Sequence, residues 1–425
     1  MKESPAIIFF LVLILAAGPG QAQDDEFSFD FEEFSKSPWT VDGFFQGNLD
    51  YLALNSDSPF YRLAYLDKAD QSHRYLGGAE LQLGVSFQQG PLTAYGLGKL
   101  EQVHDGIDWD SNALLYEGNA AWKINENLLV TAGKVLPRWG KGYAWNPTNF
   151  VGRVKNPADP DLSLEGHWVG QFEVVKSFGG ALKNAAFTAI ALPVSEEINQ
   201  GFGEKDHLNV AAKLYLLLHD TDIDLMALSS GSRPARYGLT FSRNITGNFE
   251  IHGEAAMYRD FHQGTFESDG TITTTTEDLQ SYLAGLRYLS SANTTYIFEY
   301  YYNGQGYSSE EAEDLYGHLH QLDDQELASV ATNLSGYQVP NFMTNYLYLK
   351  ASQKEPFGWL YVTPSLYSIA NANDGSFNVI PEVVYTGVEN LELRTRISLL
   401  YGGTHSEYGE KINEWKLELR GRYYY

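Results

Sequence analysis

The chain has 425 residues, with 29 Lys and Arg against 54 Asp and Glu, for a formal charge of −25. That balance argues against a nucleic-acid partner, whose phosphates demand a basic surface. The lack of any cysteine removes disulfides, thiol catalysis and cysteine-ligated metals. Aromatics reach 14%, 29 of them Tyr, although mean hydropathy is only −0.31, as expected of a wall that is greasy on one face and wet on the other.

At the N-terminus, Lys2, the apolar run from Ala6 to Ala17 and the small-residue pattern Gly20-Gln21-Ala22 predict a signal peptide over 1–22, with the mature chain starting near Gln23. The run is too short to span a bilayer comfortably, and no later stretch approaches the ~20 apolar residues of a spanning helix. Residues 23–39 form an acidic leader with Phe27, Phe29, Phe31 and Phe34 spaced through it. It reads either as a mobile periplasmic segment or as a docking segment for a periplasmic partner.

From residue 40 onward, period-two alternation recurs almost to the end. The predicted strands are 41–54, 74–88, 92–103, 112–124, 128–136 and 168–177, then 183–193, 207–218, 221–229, 235–243, 249–258 and 281–289. The last six are 294–303, 343–352, 358–369, 376–386, 390–402 and 414–425. In the final strand, Trp415, Leu417, Leu419, Gly421, Tyr423 and Tyr425 share one face and Lys416, Glu418, Arg420, Arg422 and Tyr424 the other. The fourth strand is expected to put Leu114, Tyr116, Gly118, Ala120, Trp122 and Ile124 toward lipid, opposite Glu117 and Lys123. The eleventh places Glu250, His252 and Glu254 together. The segments 92–101 and 128–135 leave the choice of face open.

Every second connection is short, among them Gln89-Gly90, His219-Asp220, Lys354 to Phe357 and Gly387 to Glu389. The others are long and polar, notably 55–73, 137–167, 259–280 and 304–342. Short periplasmic turns alternating with long external loops mark a membrane barrel rather than a soluble sandwich or propeller. The fold class expected over 40–425 is therefore all-β: a transmembrane antiparallel up-and-down β-barrel of about 18 strands. In the 304–342 loop, Leu315, Leu319 and Leu322 recur at helical spacing and predict a short helix over the barrel mouth, followed by a second helical run from Asp323 to Leu334. His318 and His320 stand two residues apart and would not face one another on a helix, so no metal is expected there, and no cofactor anywhere.

These features resemble the porin-like outer-membrane channels of Gram-negative bacteria and, more loosely, the alginate-export type of eighteen-stranded barrel. The resemblance implies an outer-membrane location among lipid and lipopolysaccharide, and a C-terminal aromatic, here Tyr425, read by the barrel-assembly machinery. It also implies that the loop after the fifth strand, 137–167, folds into the lumen. Arg138, Trp139, Lys141, Tyr143, Arg153, Lys155, Asp159 and Asp161 would then shape a constriction; an ordinary surface loop is the alternative.

On the wall, Arg394 and Arg396 fall at the same depth as Arg420 and Arg422, where like charges on paired strands repel. Either Glu382, Glu392 and Glu418 offset them in a mixed network, or the four form an arginine track that favours anions. The function expected is passive diffusion of small hydrophilic solutes, with anions among the candidates. A structural or surface-binding barrel is the alternative, with a barrel-embedded hydrolase behind it, since no nucleophile motif accompanies His252. A TonB-type transporter is disfavoured because no plug domain precedes the first strand. A trimer stays open.

Overall fold

A computed structural model describes residues 37–425 apart from 67, 107, 161, 268–270 and 331–340. The expected signal peptide, nearly all of the leader, Asp161 and the end of the second helical run lie outside the described residues. Trp39–Tyr425 forms one compact unit. Its first six strands are β1 (Trp39–Leu54), β2 (His73–Gln89), β3 (Leu92–His104), β4 (Trp109–Asn125), β5 (Leu128–Val135) and β6 (His167–Ser177). The next six are β7 (Leu182–Val194), β8 (His207–Leu218), β9 (Thr221–Leu228), β10 (Arg236–Thr246), β11 (Phe249–Phe266) and β12 (Ile272–Leu289). The last are β13 (Thr294–Tyr302), β14 (Asn345–Gln353), β15 (Val362–Asn371), β16 (Phe377–Val388), β17 (Leu391–Tyr401) and β18 (Asn413–Tyr424).

Each strand pairs antiparallel with the next in sequence, and β18 pairs with β1, so the 18-stranded sheet closes on itself. Closure leaves no sheet edge with unpaired backbone groups, which is the condition for strands to cross hydrocarbon. The seam is in register from Phe44↔Tyr424 to Ala53↔Trp415. At its end the Tyr425 backbone N–H donates to Gly43 O at 3.2 Å and the Tyr425 hydroxyl donates to Gln82 O at 2.9 Å.

The two faces of the wall are inverted relative to a soluble protein. Phe45, Leu49, Leu100, Trp122, Phe172, Leu225, Leu349 and Leu419 are exposed on the outside, whereas Gln82, Asp224, Thr240, Glu254, Glu299 and Arg396 are buried inside. An exposed apolar band around a polar interior is the pattern of a barrel solvated by lipid.

Three departures from the expected elements have local causes. The expected loop 259–280 is mostly a projecting hairpin: after a bulge between Tyr258 and Phe261, β11 and β12 stay paired out to Phe266↔Ile272. The β-branched run Thr271 to Thr276 favours strand over coil. In β4, a bulge opposite Leu97 and Gly98 shifts the alternation, and Tyr116 is buried with Lys99 Nζ donating to its hydroxyl at 3.1 Å, so it does not lie on the lipid face. The turn before β15 extends to Tyr361, because Pro356–Gly358 form a 3₁₀ turn and Phe357 and Tyr361 sit at φ 57° and 64°.

The lumen is partly filled. Helix α1 (Pro59–Tyr65) starts on Ser58, whose Oγ accepts from Phe60 N–H at 3.1 Å. Helix α2 (Ser309–Gln321) starts on a capping box between Ser308 and Glu311. Its Leu315 and Leu319 are fully buried with Tyr346 and Tyr348 of β14 and with Ala144 and Trp145 of the loop after β5. The expected second helical run is α3 (Asp324–Val330), tied to α1 by Arg62 and Asp324 at 2.8 Å. Leu322 ends α2 in an extended conformation instead of continuing its face.

Candidate functional site

The segment between β5 and β6 enters the lumen, and its glycines decide how. Gly140 sits at φ 96°, and a Cβ there would lie 2.8 Å from Glu254 Oε1; a Cβ on Gly142 would lie 2.0 Å from Trp145 O. The backbone can therefore come close enough to the β11 wall for its N–H groups to reach side chains there. Glu254 Oε1 accepts from Lys141 N–H at 2.5 Å, Gly142 N–H at 2.7 Å and Asn146 Nδ2 at 2.9 Å. Its Oε2 accepts from Thr148 N–H at 3.1 Å and Thr148 Oγ1 at 2.6 Å. Next to it, on β13, Glu299 accepts from Tyr143 N–H at 2.5 Å and Ala144 N–H at 2.9 Å, and lies 2.9 Å from His252 Nε2. Two buried carboxylates thus satisfy a turn of backbone donors that water would otherwise have to solvate.

The surrounding contacts fix this half of the loop. Trp145 stacks on Tyr301 at 5.3 Å, and the Tyr258 hydroxyl donates to Pro147 O at 2.9 Å. Lys141 Nζ lies 3.0 Å from Asp224 Oδ2, and Trp139 receives Lys213 Nζ over its ring at 5.8 Å. Phe150 and Val151 are fully buried with Ile190 and Leu192 of β7.

The other half reaches the far wall. Arg394 Nη2 is 3.1 Å from Asp159 Oδ2, and Arg396 Nη1 donates to Ala158 O at 3.1 Å. The loop therefore bridges β11 and β17, six strands apart in the barrel order. Burial tends to raise the Asp159 carboxyl, but the Arg394 hydrogen bond and the charges of Arg396, Arg394 and Arg420 outweigh it and hold it below its ordinary value. Arg153 pairs with Glu165 at 3.1 Å, Lys134 pairs with the same carboxylate, and Lys155 Nζ donates to Gly142 O at 2.9 Å. Arg138 lines the cavity that also reaches Asp42 and Tyr425.

The wall arginines are brought together, but with acids. Arg394 and Arg420 are direct register partners. Glu418 lies 2.7 Å from Arg394 Nη2, Glu382 lies 2.6 Å from Arg396 Nη2, and Glu392 lies 3.2 Å from Arg420 Nη2. Arg422 bonds the neutral Gln46 Oε1 at 2.6 Å and stacks 4.1 Å over Phe44.

Two cavities flank the loop. One, of about 1000 Å³, opens among the long loops; the other, of about 720 Å³, reaches Asp42, Gln82 and Tyr425 at the opposite end. Asn146, Asn149 and Lys155 line both, so the loop is the partition between them. Sequence reasoning set Glu254 beside His252 without linking it to the loop. The available hint was a glycine-rich loop and unpaired lumen carboxylates, but their pairing depends on register across the barrel.

A closed barrel, greasy outside and polar inside with a segment folded across its lumen, is the architecture of outer-membrane porins. Solved structures of the same fold include Pseudomonas aeruginosa OpdQ (TM-score 0.55, 10% identity, covering 92% of this chain and 99% of that one). OccK5 (OpdH) of the same organism gives 0.52 at 13% identity over 90% and 97%, and its OccK11 (OpdR) gives 0.51 at 12% over 90% and 95%. No protein-family model matches the sequence, and no curated protein does either.

Proposed function

We propose that this chain is a passive outer-membrane channel for small hydrophilic solutes, with the 137–167 loop as its constriction. The observation that carries the reading is the pair of cavities on either side of that loop, meeting at Asn146, Asn149 and Lys155. A solute passing between the two ends of the barrel would cross at these side chains. No covalent step is involved. Conductance of the refolded protein in planar bilayers tests it: discrete steps are expected, and a barrel that inserts but passes no current would sink the proposal.

A second reading has its own support. Helix α2 and loop 402–412 are packed into the mouth, with Glu407 accepting from the Tyr346 hydroxyl at 2.7 Å and Asn371 Nδ2 at 2.8 Å. A mouth braced in this way also suits a barrel that presents its loops to another macromolecule. Closed barrels in the bilayer assay would favour it.

In the channel reading the wall arginines belong to a mixed network and set no anion preference. With Asp159, Glu382, Glu392 and Glu418 beside Arg394, Arg396 and Arg420, the local charges largely cancel. Replacing the pair Arg420 and Glu392 together by Gln is expected to leave the reversal potential under a salt gradient nearly unchanged; a strong shift toward cations would restore the track. Tyr425 is proposed as the assembly signal. Tyr425→Ala should reduce the amount of barrel assembled in cells while the purified chain still refolds in detergent, and full assembly in cells would refute the role.

A further inference from the structure

The larger cavity has a charge character opposite to that of the chain. Across 425 residues the formal charge is −25, yet the charged residues lining this cavity are Arg153, Lys155, Arg233 and Arg236, with no carboxylate among the described residues of the lining. Arg153 is offset by Glu165 at 3.1 Å. Arg233 and Arg236 have no ion pair among the described residues.

Their geometry is fixed by aromatic rings. The Arg233 guanidinium lies 4.0 Å over Phe202, with its Nε donating to Phe202 O, and the Arg236 guanidinium lies 5.1 Å over Tyr258. Arg236 Nε is buried and has no hydrogen-bond partner. A stacked guanidinium uses its face on the ring, which leaves its terminal N–H groups in the plane for a fork-like contact with an oxyanion. Burial, then the neighbouring guanidiniums of Arg236 and Arg153, push Arg233 down to about 9. This is the electrostatic strain of like charges collected out of water, and an arriving anion would relieve it.

We propose that the cavity is a binding site for a small phosphate monoester, held by Arg233 and Arg236 with its organic body against Tyr258, Tyr301 and Trp145. Two guanidiniums without a carboxylate call for about two negative charges, which a phosphate monoester carries near neutral pH and a carboxylate does not. Three acceptor oxygens match two forked donors, and the aromatic wall suits a planar or apolar body. The proposal deepens the channel reading, on which its place at the entrance to the path rests.

The test is isothermal titration of the refolded protein in detergent with phenyl phosphate, benzoate and benzyl alcohol. Phenyl phosphate should bind at least about tenfold more tightly than benzoate, a difference well within what a second charge-assisted contact supplies, and benzyl alcohol should bind more weakly still. The double variant Arg233→Gln, Arg236→Gln should lose at least about tenfold in phenyl phosphate affinity. Lys176→Gln, at the other end of β6, should lose none. Benzoate binding as tightly as phenyl phosphate, or undiminished binding by the double variant, would overturn the site. If that variant fails to refold, the three probes on the unaltered chain still decide. A barrel that binds phenyl phosphate but carries no current would remove the channel reading and keep the site; a conducting barrel indifferent to all three probes would do the reverse.

Discussion

Glu254→Gln is expected to free the first half of the 137–167 loop and raise single-channel conductance. One buried carboxylate, 4% exposed, accepts from three backbone N–H groups and two side chains between Lys141 and Thr148. The carboxamide keeps one oxygen and turns an NH₂ toward donors, so at least two loop donors lose their acceptor in a site that admits little water. Unsatisfied buried donors cost about 1–3 kcal/mol each, which puts the local loss at about 2–6 kcal/mol. The barrel ladder does not pass through this side chain, so the loss falls on loop opening and not on global unfolding. A shift of about 3 kcal/mol raises the open population more than a hundredfold. Conductance and limited proteolysis within 137–167 read it directly. Unaltered conductance and unaltered cleavage would show that Glu299 and the apolar contacts of Trp145 and Phe150 hold the loop without Glu254.

Arg396→Met should loosen the other half, which Arg394 still holds through Asp159, and destabilise the wall. Arg396 reaches Glu382 at 2.6 and 2.9 Å and Ala158 O at 3.1 Å, and both contacts to Glu382 are buried from solvent. Removing it leaves Glu382 with the Tyr367 hydroxyl at 2.9 Å and a longer contact to Arg394 at 3.6 Å. Breaking a buried pair in this way costs about 3–5 kcal/mol, whereas replacing both partners by apolar groups often costs far less. The double variant Arg396→Met, Glu382→Leu should therefore recover much of the lost urea resistance, scored by the mobility of the folded barrel on gels. A double variant as weak as the single one would mean that Glu382 is not what suffers.

The Asp159 clamp also fixes a pH dependence. Its carboxyl is held below the ordinary value of 3.8, so its contribution is complete above that value and is lost as pH falls through the lower folded value. Between neutral pH and about 4 this anchor should leave conductance flat. Larger openings are expected only in stronger acid, and Asp159→Asn should show them at neutral pH.

The barrel itself was legible because its physics repeats. Alternation in β17 and β18 marks lipid against lumen residue by residue, and short turns sorted from long loops mark the two ends. What one bulge can do was not legible: a single extra residue near Tyr116 exchanges the two faces of half a strand, and nothing in the surrounding hydrophobicity announces it. The hairpin at Phe266 and Ile272 was hidden in the same way, because its strands leave the membrane and need no apolar face. Arg394 and Arg396 could be matched in depth to Glu382 and Glu418 by counting residues along adjacent strands. Asp159 could not be added to that set, since no count along a wall places a loop from another part of the chain.

The bridge between Asp159 and Arg394 spans 235 residues of sequence, and that distance has a consequence for timing. The segment that divides the lumen is made early, between β5 and β6; it meets β7, β8 and β9 first, while its carboxylate anchors wait for β11 and β13 and its last clamp for β17. Contacts this distant in sequence form late, after the loop-closure entropy of the intervening chain has been overcome. Until β17 is in place, the segment has a floor on one side and nothing to grip on the other. The bore is thus narrowed fully only once β17 is in place, and a chain truncated before β17 would keep the β11 and β13 anchors but lack the Asp159 clamp.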